Sequence, residues 1–156
     1  MKKTNACRFL DKNKIEYELL GYEVDEEDLS ALHVAQVTNT DVKMLFKTLV
    51  CIDEKNTPLV ACIAGDEELD LKALAKLAGV KKCVMIAQKE LLGLTGYIRG
   101  GCSPFGMKKQ YRTFIDSNAF KHEKIMLSAG ERGKQLKISP KILVDLLRAK
   151  QGVIIH

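Results

Sequence analysis

The chain has 156 residues, 46% apolar and 29% charged, a balance that suits one packed domain and excludes wholesale disorder. Its net charge of +5 is uneven: residues 1–78 carry ten Lys/Arg against fifteen Asp/Glu, and residues 79–156 carry fifteen against five. No apolar run approaches the roughly 20 residues of a membrane span, and the opening MKKTNACRFLDKNK has no apolar stretch of a secretory signal. A single cytoplasmic domain over residues 1–156 is expected, with no membrane partner. The basic C-terminal half would steer a polyanion, nucleic acid above all.

In chain order, Ala6, Phe9 and Leu10 predict a helix over 4–14 with Thr4 or Asn5 as N-cap. Residues 15–22 read as a strand and 29–37 as a helix. The apolar runs 44–53 and 59–65 flank the turn EKNTP and predict a hairpin. LDLKALAKLAG (69–79) is a helix whose Leu71, Leu74, Ala75 and Ala78 share a face, with Gly79 placed to cap it. A short strand (81–87) and a short helix (88–94) precede the glycine-rich GYIRGGCSPFG, residues 96–106. Strands follow at 111–116, 124–130 and 136–138, then a helix over 139–150 with Ser139 as N-cap and Pro140 at the first helical position. These elements predict a mixed α/β (α+β) fold: a largely antiparallel curved sheet, or a partial barrel, surrounded by helices.

The five cysteines, Cys7, Cys51, Cys62, Cys83 and Cys102, are odd in number and widely spaced, without a C-x-x-C and without His33, His122 or His156 at zinc-finger spacing. They read as reduced, buried thiols, and no metal is expected.

Three stretches carry chemistry. Lys47 in LFKTLV shares a strand face with Leu45 and Leu49. It is either an edge lysine, on a strand that alternates the other way, or an ammonium at a pocket floor aimed at a carbonyl or phosphate. Thr48, its neighbour, points to the opposite face with its main chain available. In GYIRGGCSPFG, Gly100 and Gly101 let a ligand approach main-chain N–H groups, the usual material of an oxyanion hole; Ser103 adds a hydroxyl and Pro104 stiffens the exit. No phosphate-loop fingerprint fits, so a turn or bulge is an equal reading. SAGERG (128–133) is either a hairpin turn or a second wall of the same pocket carrying the Ser128 hydroxyl. Cys102 has no base close in sequence and reads as an apolar filler rather than a nucleophile.

FKTLV, the following hairpin, LDLKALAKLAG, TGYIRGGCSPFG and LSAGERG, in this order and spacing, resemble the YbaK/EbsC family, free-standing relatives of the editing domain inserted in bacterial prolyl-tRNA synthetases. The resemblance implies an aminoacyl-tRNA deacylase acting in trans, with no cofactor, that removes cysteine from tRNA(Pro) and extends to Cys-tRNA(Cys). It implies the aminoacyl-tRNA acceptor end as substrate and prolyl-tRNA synthetase as a transient partner. The family's lysine maps onto Lys47 beside Thr48, its tyrosine after the first strand onto Tyr22, its GGxSP loop onto Gly100, Gly101, Ser103 and Pro104, and its serine and glycine before the basic turn onto Ser128 and Gly130. Lys47 would anchor the developing oxyanion or the terminal phosphate, and Tyr22 would position the sugar. The substrate's own thiol would attack its carbonyl, or water would. Where family members often carry Asp after the G-x-R-G turn this chain has Gln135, and Leu32 is the expected pocket wall. Two other classes stay open: a non-catalytic module that binds an aminoacyl terminus beside a synthetase, and an enzyme built on Cys102.

Overall fold

The computed structural model describes residues 1–156. Helix α1 (Asn5–Lys12) starts where Thr4 Oγ1 accepts from the Cys7 N–H at 3.2 Å, a cap worth about 1 kcal/mol. Its face of Ala6, Cys7 and Leu10 is fully buried, and burying the Leu10 side chain contributes about 1.5–3 kcal/mol. Strand β1 (Glu18–Gly21) leads into the acidic segment and then α2 (Ala31–Val37), whose N-cap Ser30 accepts from the His33 N–H. The expected hairpin is present: β2 (Phe46–Asp53) and β3 (Pro58–Ala64) pair antiparallel, Lys47 opposite Ile63. Helix α3 (Leu71–Ala78) ends at Gly79, whose φ of 73° is the left-handed conformation that glycine adopts without strain. Short β4 (Cys83–Met85) pairs with only the last part of β2. Helix α4 (Gln88–Thr95) follows, then the glycine-rich loop.

The second half departs from the expected order in two ways. Strand β5 (Arg112–Asp116) runs parallel to β3, and a strand absent from the sequence reading, β8 (Lys150–Gly152), runs parallel to β5. Between them lie a 3₁₀ turn at Ser117–Lys121, the hairpin of β6 (Ile125–Ser128) and β7 (Lys134–Ile138), and α5 (Lys141–Leu147). The helix expected over 139–150 is therefore shorter. Its N-cap is Pro140 rather than Ser139, and it stops at Arg148, which is left-handed with φ 56°.

Two sheets result, β4-β2-β3-β5-β8 and β1-β7-β6, joined by a single parallel bridge between Leu45 and Met126. The curved sheet is split at this seam and no barrel closes. The main core lies where both sheets meet α1 and α5, around Leu10, Phe46, Phe105, Leu127 and Leu143; a second core packs α3 against the other face of the larger sheet. No helix is long and apolar enough to cross a membrane.

Candidate active site

The seam between the sheets opens a cavity of ≈ 420 Å³. Lys47 and Thr48 line it from β2, Ser128 and Gln135 from the β6–β7 pair, Gly100 and Cys102 from the glycine-rich loop, and Leu29, Val34, Met85 and Leu91 form apolar wall.

Strand β2 faces this cavity with an open edge. The Met44 carbonyl accepts from the Met126 N–H at 2.8 Å, and the Val50 carbonyl accepts from the Ile86 N–H at 3.1 Å. On the opposite side, the Leu45 carbonyl accepts from the Gly65 N–H at 2.7 Å. Main-chain groups alternate in direction along a strand. The N–H and C=O of Phe46 and Thr48 therefore point the same way as those of Met44 and Val50. β4 covers only Cys51–Asp53 of that edge and the parallel bridge between Leu45 and Met126 engages the Phe46 N–H, so Thr48 lies on the stretch of edge that neither strand pairs, and both residues line the cavity.

Lys47 is half-buried. Its ammonium donates to the Gly65 carbonyl at 3.3 Å. No carboxylate lines the cavity, whose charged residues are Lys47 and Arg99. The site is thus electropositive, with one cation tethered by a neutral acceptor and its remaining N–H groups free for an incoming anion or carbonyl. Thr48 Oγ1 lies 3.8 Å from Cys62 Sγ.

The glycine-rich loop divides into a part that meets the cavity and a part that packs. Gly100 lines the cavity with φ 83°, and its N–H makes no main-chain hydrogen bond, nor does that of Cys102. Gly101 is placed otherwise than expected: its N–H donates to the Ile98 carbonyl at 2.9 Å, closing a tight turn. A Cβ there would stand 3.2 Å from the main chain of Glu131 and Arg132. The second free amide beside the cavity therefore belongs to Cys102. Ser103 is fully buried, and its Oγ accepts from the Phe105 N–H at 3.3 Å; Pro104 is buried beside it. Neither lines the cavity, so the Ser103 hydroxyl organises the turn instead of reaching a ligand.

Cys102 is buried, and desolvation pushes its thiol up to about 12, with a hydrogen bond to Thr95 pulling weakly the other way. Such a thiol is neutral near pH 7 and unsuited to nucleophilic attack. All five cysteines are free and buried.

Arg132 locks the loop from outside. Its Nε donates to the Arg99 carbonyl at 2.9 Å, and its Nη1 pairs with Glu26 Oε2 at 2.7 Å. The acidic segment and the β6–β7 turn thus hold the residue next to Gly100.

Ser128 and Gln135 are directly paired across β6 and β7. Ser128 Oγ accepts from the Gly130 N–H at 3.3 Å. Gly130 does not line the cavity; its φ is 98°, and a Cβ would meet Tyr97 Cε1 at 2.8 Å. Tyr22 also stands outside the lining. It packs against the cluster of Val34, Ala35, Leu45 and Met126, of which Val34 and Leu45 are wall residues, and its N–H donates to the Gly133 carbonyl at 2.9 Å. Leu32, the expected wall, is 59% exposed; its neighbours Leu29, Ala31 and Val34 take that place, because α2 turns the other face inward.

Two further residues are of consequence: Tyr97, which the sequence reading missed, and Gln135, which it singled out only as standing where family members often carry Asp. Tyr97 is buried, its hydroxyl donates to the Phe105 carbonyl at 2.6 Å, and its ring packs on Gly130. It pins the glycine-rich loop to the β6–β7 turn. Gln135 is 4% exposed, and its Oε1 is the buried side-chain polar atom without a partner, a state that costs about 1–3 kcal/mol.

An electropositive cavity with free main-chain amides, one tethered lysine and no His, Asp or Glu to activate a nucleophile is suited to hold an acyl group or a phosphate by electrostatics. Residues 26–146 match the family described as the aminoacyl-tRNA editing domain, and the chain belongs to that family. It is 44% identical over 144 residues to "Putative Cys-tRNA(Pro)/Cys-tRNA(Cys) deacylase EbsC" of Enterococcus faecalis, covering 92% of this chain and 88% of that protein. Over 82 residues, 53% of this chain and 14% of that one, it is 32% identical to the proline–tRNA ligase of Thermodesulfovibrio yellowstonii. The fold superimposes with a TM-score of 0.82 on the crystal structure of "a putative trans-editing enzyme for prolyl tRNA synthetase", at 21% identity, over 100% of this chain and 99% of that one.

Proposed function

We propose that this chain is a trans-editing deacylase that releases cysteine from mischarged tRNA(Pro), and from Cys-tRNA(Cys). One observation carries the reading: in a member of the editing family, the Lys47 ammonium and the unbonded Gly100 amide line one cavity. The name of the Enterococcus faecalis relative supports the cysteinyl substrate.

The aminoacyl ester enters between β2 and the glycine-rich loop. The Gly100 and Cys102 N–H groups receive the carbonyl oxygen as negative charge develops on it, and Lys47 adds a positive charge at the same point. Thr48 offers its open-edge main chain to the terminal nucleotide, and Tyr22, beyond the wall, supports the sugar. No His, Asp or Glu lines the cavity, so no side chain there is placed to activate water. The cysteinyl thiol, with an ordinary pKa near 8.5, supplies the nucleophile. Its sulfur bonds to the carbonyl carbon, the ester C–O bond breaks, and the thiol proton passes to the ribose oxygen. The products are a four-membered thiolactone and uncharged tRNA. Orientation within the cavity supplies much of the rate, and an ester activated by a neighbouring hydroxyl needs no more than a moderate share of the usual barrier reduction.

The basic C-terminal half docks the tRNA phosphates, and a prolyl-tRNA synthetase is the expected transient partner. Catalytic amounts of the purified protein should empty an excess of cysteinyl-tRNA(Pro). Seryl-tRNA, with oxygen for sulfur, should be emptied far more slowly; equal rates would rule out thiol attack. Failure to turn over any charged tRNA, together with tight binding, would make the chain a binding module. tRNA affinity should fall steeply as salt rises from 50 to 200 mM.

A further inference from the structure

We infer that the Gln135 carboxamide is the binding group for the α-amino nitrogen of the substrate, an inference that rests on the deacylase reading above. β7 is the middle strand of its sheet, and Gln135 is paired with Leu20 on one side and Ser128 on the other. The residue is 4% exposed, yet it lines the cavity. At such a position an aliphatic side chain would pack without penalty, whereas the Gln135 Oε1 has no partner within the protein. The missing donor must therefore come from whatever fills the cavity.

Charge decides which part of the substrate supplies it. An aminoacyl ester brings an ammonium one carbon away from its carbonyl. The carbonyl belongs beside Lys47 and the Gly100 amide, but an ammonium is repelled by Lys47 and Arg99, the charged residues of the lining, and finds no carboxylate there. It is driven to the neutral polar side chains of the lining, Ser30, Thr48, Gln88, Ser128 and Gln135, among which Gln135 has the buried oxygen without a partner. Ser128 Oγ is already engaged by the Gly130 N–H. Gln135 Oε1 is free, and rotation about the soft terminal torsion of the carboxamide turns it toward the cavity. Lys47 and Ser128 each stand two residues past the Leu45–Met126 bridge, on adjoining strands. Ser128 in turn pairs with Gln135, so the carbonyl-binding and amine-binding groups lie in one row across β2, β6 and β7.

The test uses two non-hydrolysable probes: 3′-amino-3′-deoxyadenosine acylated through its amide with cysteine, and the same compound acylated with 3-mercaptopropionate, which lacks the amine. Calorimetry on the full chain should show the cysteinyl probe binding about 10- to 100-fold more tightly, the range for a hydrogen bond to a charged group. In Gln135→Leu that ratio should fall to about one or below, while the mercaptopropionyl probe binds as before. Gln135→Met replaces it if the leucine variant does not fold. A ratio unchanged in a folded variant overturns the inference and leaves the deacylase reading intact. A wild-type protein that binds neither probe and empties no charged tRNA overturns both.

Discussion

The Lys47 ammonium donates to the carbonyl of Gly65 at 3.3 Å, two residues past Ile63, the partner of Lys47 across the β2–β3 pair. This tether sets the reach of the only lysine in the cavity lining. Lys47→Met should lower deacylation about 10²–10³-fold, the scale seen when one oxyanion donor is removed, with stability nearly unchanged. Stopped deacylation with an unaltered thermal midpoint is the expected result; an active variant would remove Lys47 from the mechanism. Gly65→Ala should act through packing, since its Cβ would stand 2.7 Å from that of Ala31 and 3.1 Å from the Leu45 carbonyl. A loss of about 1–3 kcal/mol is expected, read by urea unfolding.

Arg132 joins the Arg99 carbonyl to Glu26 and so holds Gly100 against the cavity. Exposed ion pairs contribute about 0–1 kcal/mol to stability, so Arg132→Ala should barely shift unfolding. Deacylation should nonetheless fall about tenfold, because displacing a positioned donor by an ångström costs rate. Glu26→Gln keeps the hydrogen bond to Arg99 and should cost much less. Equal losses in the two variants would argue that the ion pair, and not the carbonyl contact, holds the loop.

Cys102 tests the absence of a nucleophile. Cys102→Ala should keep deacylation within about threefold, since its contribution is a main-chain amide that alanine retains. Its thiol, held at about 12 against an ordinary 9.0, also gives a pH signature. Above pH 9 the unfolded chain loses this proton while the folded chain keeps it, so the unfolded state binds fewer protons and stability declines as pH rises from 9 toward 12. Unfolding followed across that window should show a shallower decline in Cys102→Ala than in the wild type.

Tyr97 is the buried pin between the glycine-rich loop and the β6–β7 turn. Tyr97→Phe leaves the Phe105 carbonyl without its 2.6 Å donor and should cost about 1–3 kcal/mol. Gly130→Ala should be at least as damaging: it forces a side chain at φ 98° and drives a Cβ to 2.8 Å from the Tyr97 ring. Chemical denaturation of both variants checks the order.

The sequence by itself determined the local elements and brought part of the cavity lining forward. Apolar periodicity and end signals placed α1, α3 and the β2–β3 hairpin, because capping by Thr4 and Gly79 and the alternation of a strand are properties of a few adjacent residues. The ordered motifs brought Lys47, Thr48, Gly100 and Ser128 forward, and these line one cavity. Only the tertiary structure decided which main-chain groups are free. That Gly100 and Cys102 keep free N–H groups beside the cavity while Gly101 does not, that β2 shows an open edge at Thr48, and that Gln135 is left with an orphan oxygen all depend on how distant parts of the chain meet. Strand β8 was hidden for the same reason. Its three residues have no strand pattern of their own and become a strand only because the β5 edge offers parallel partners.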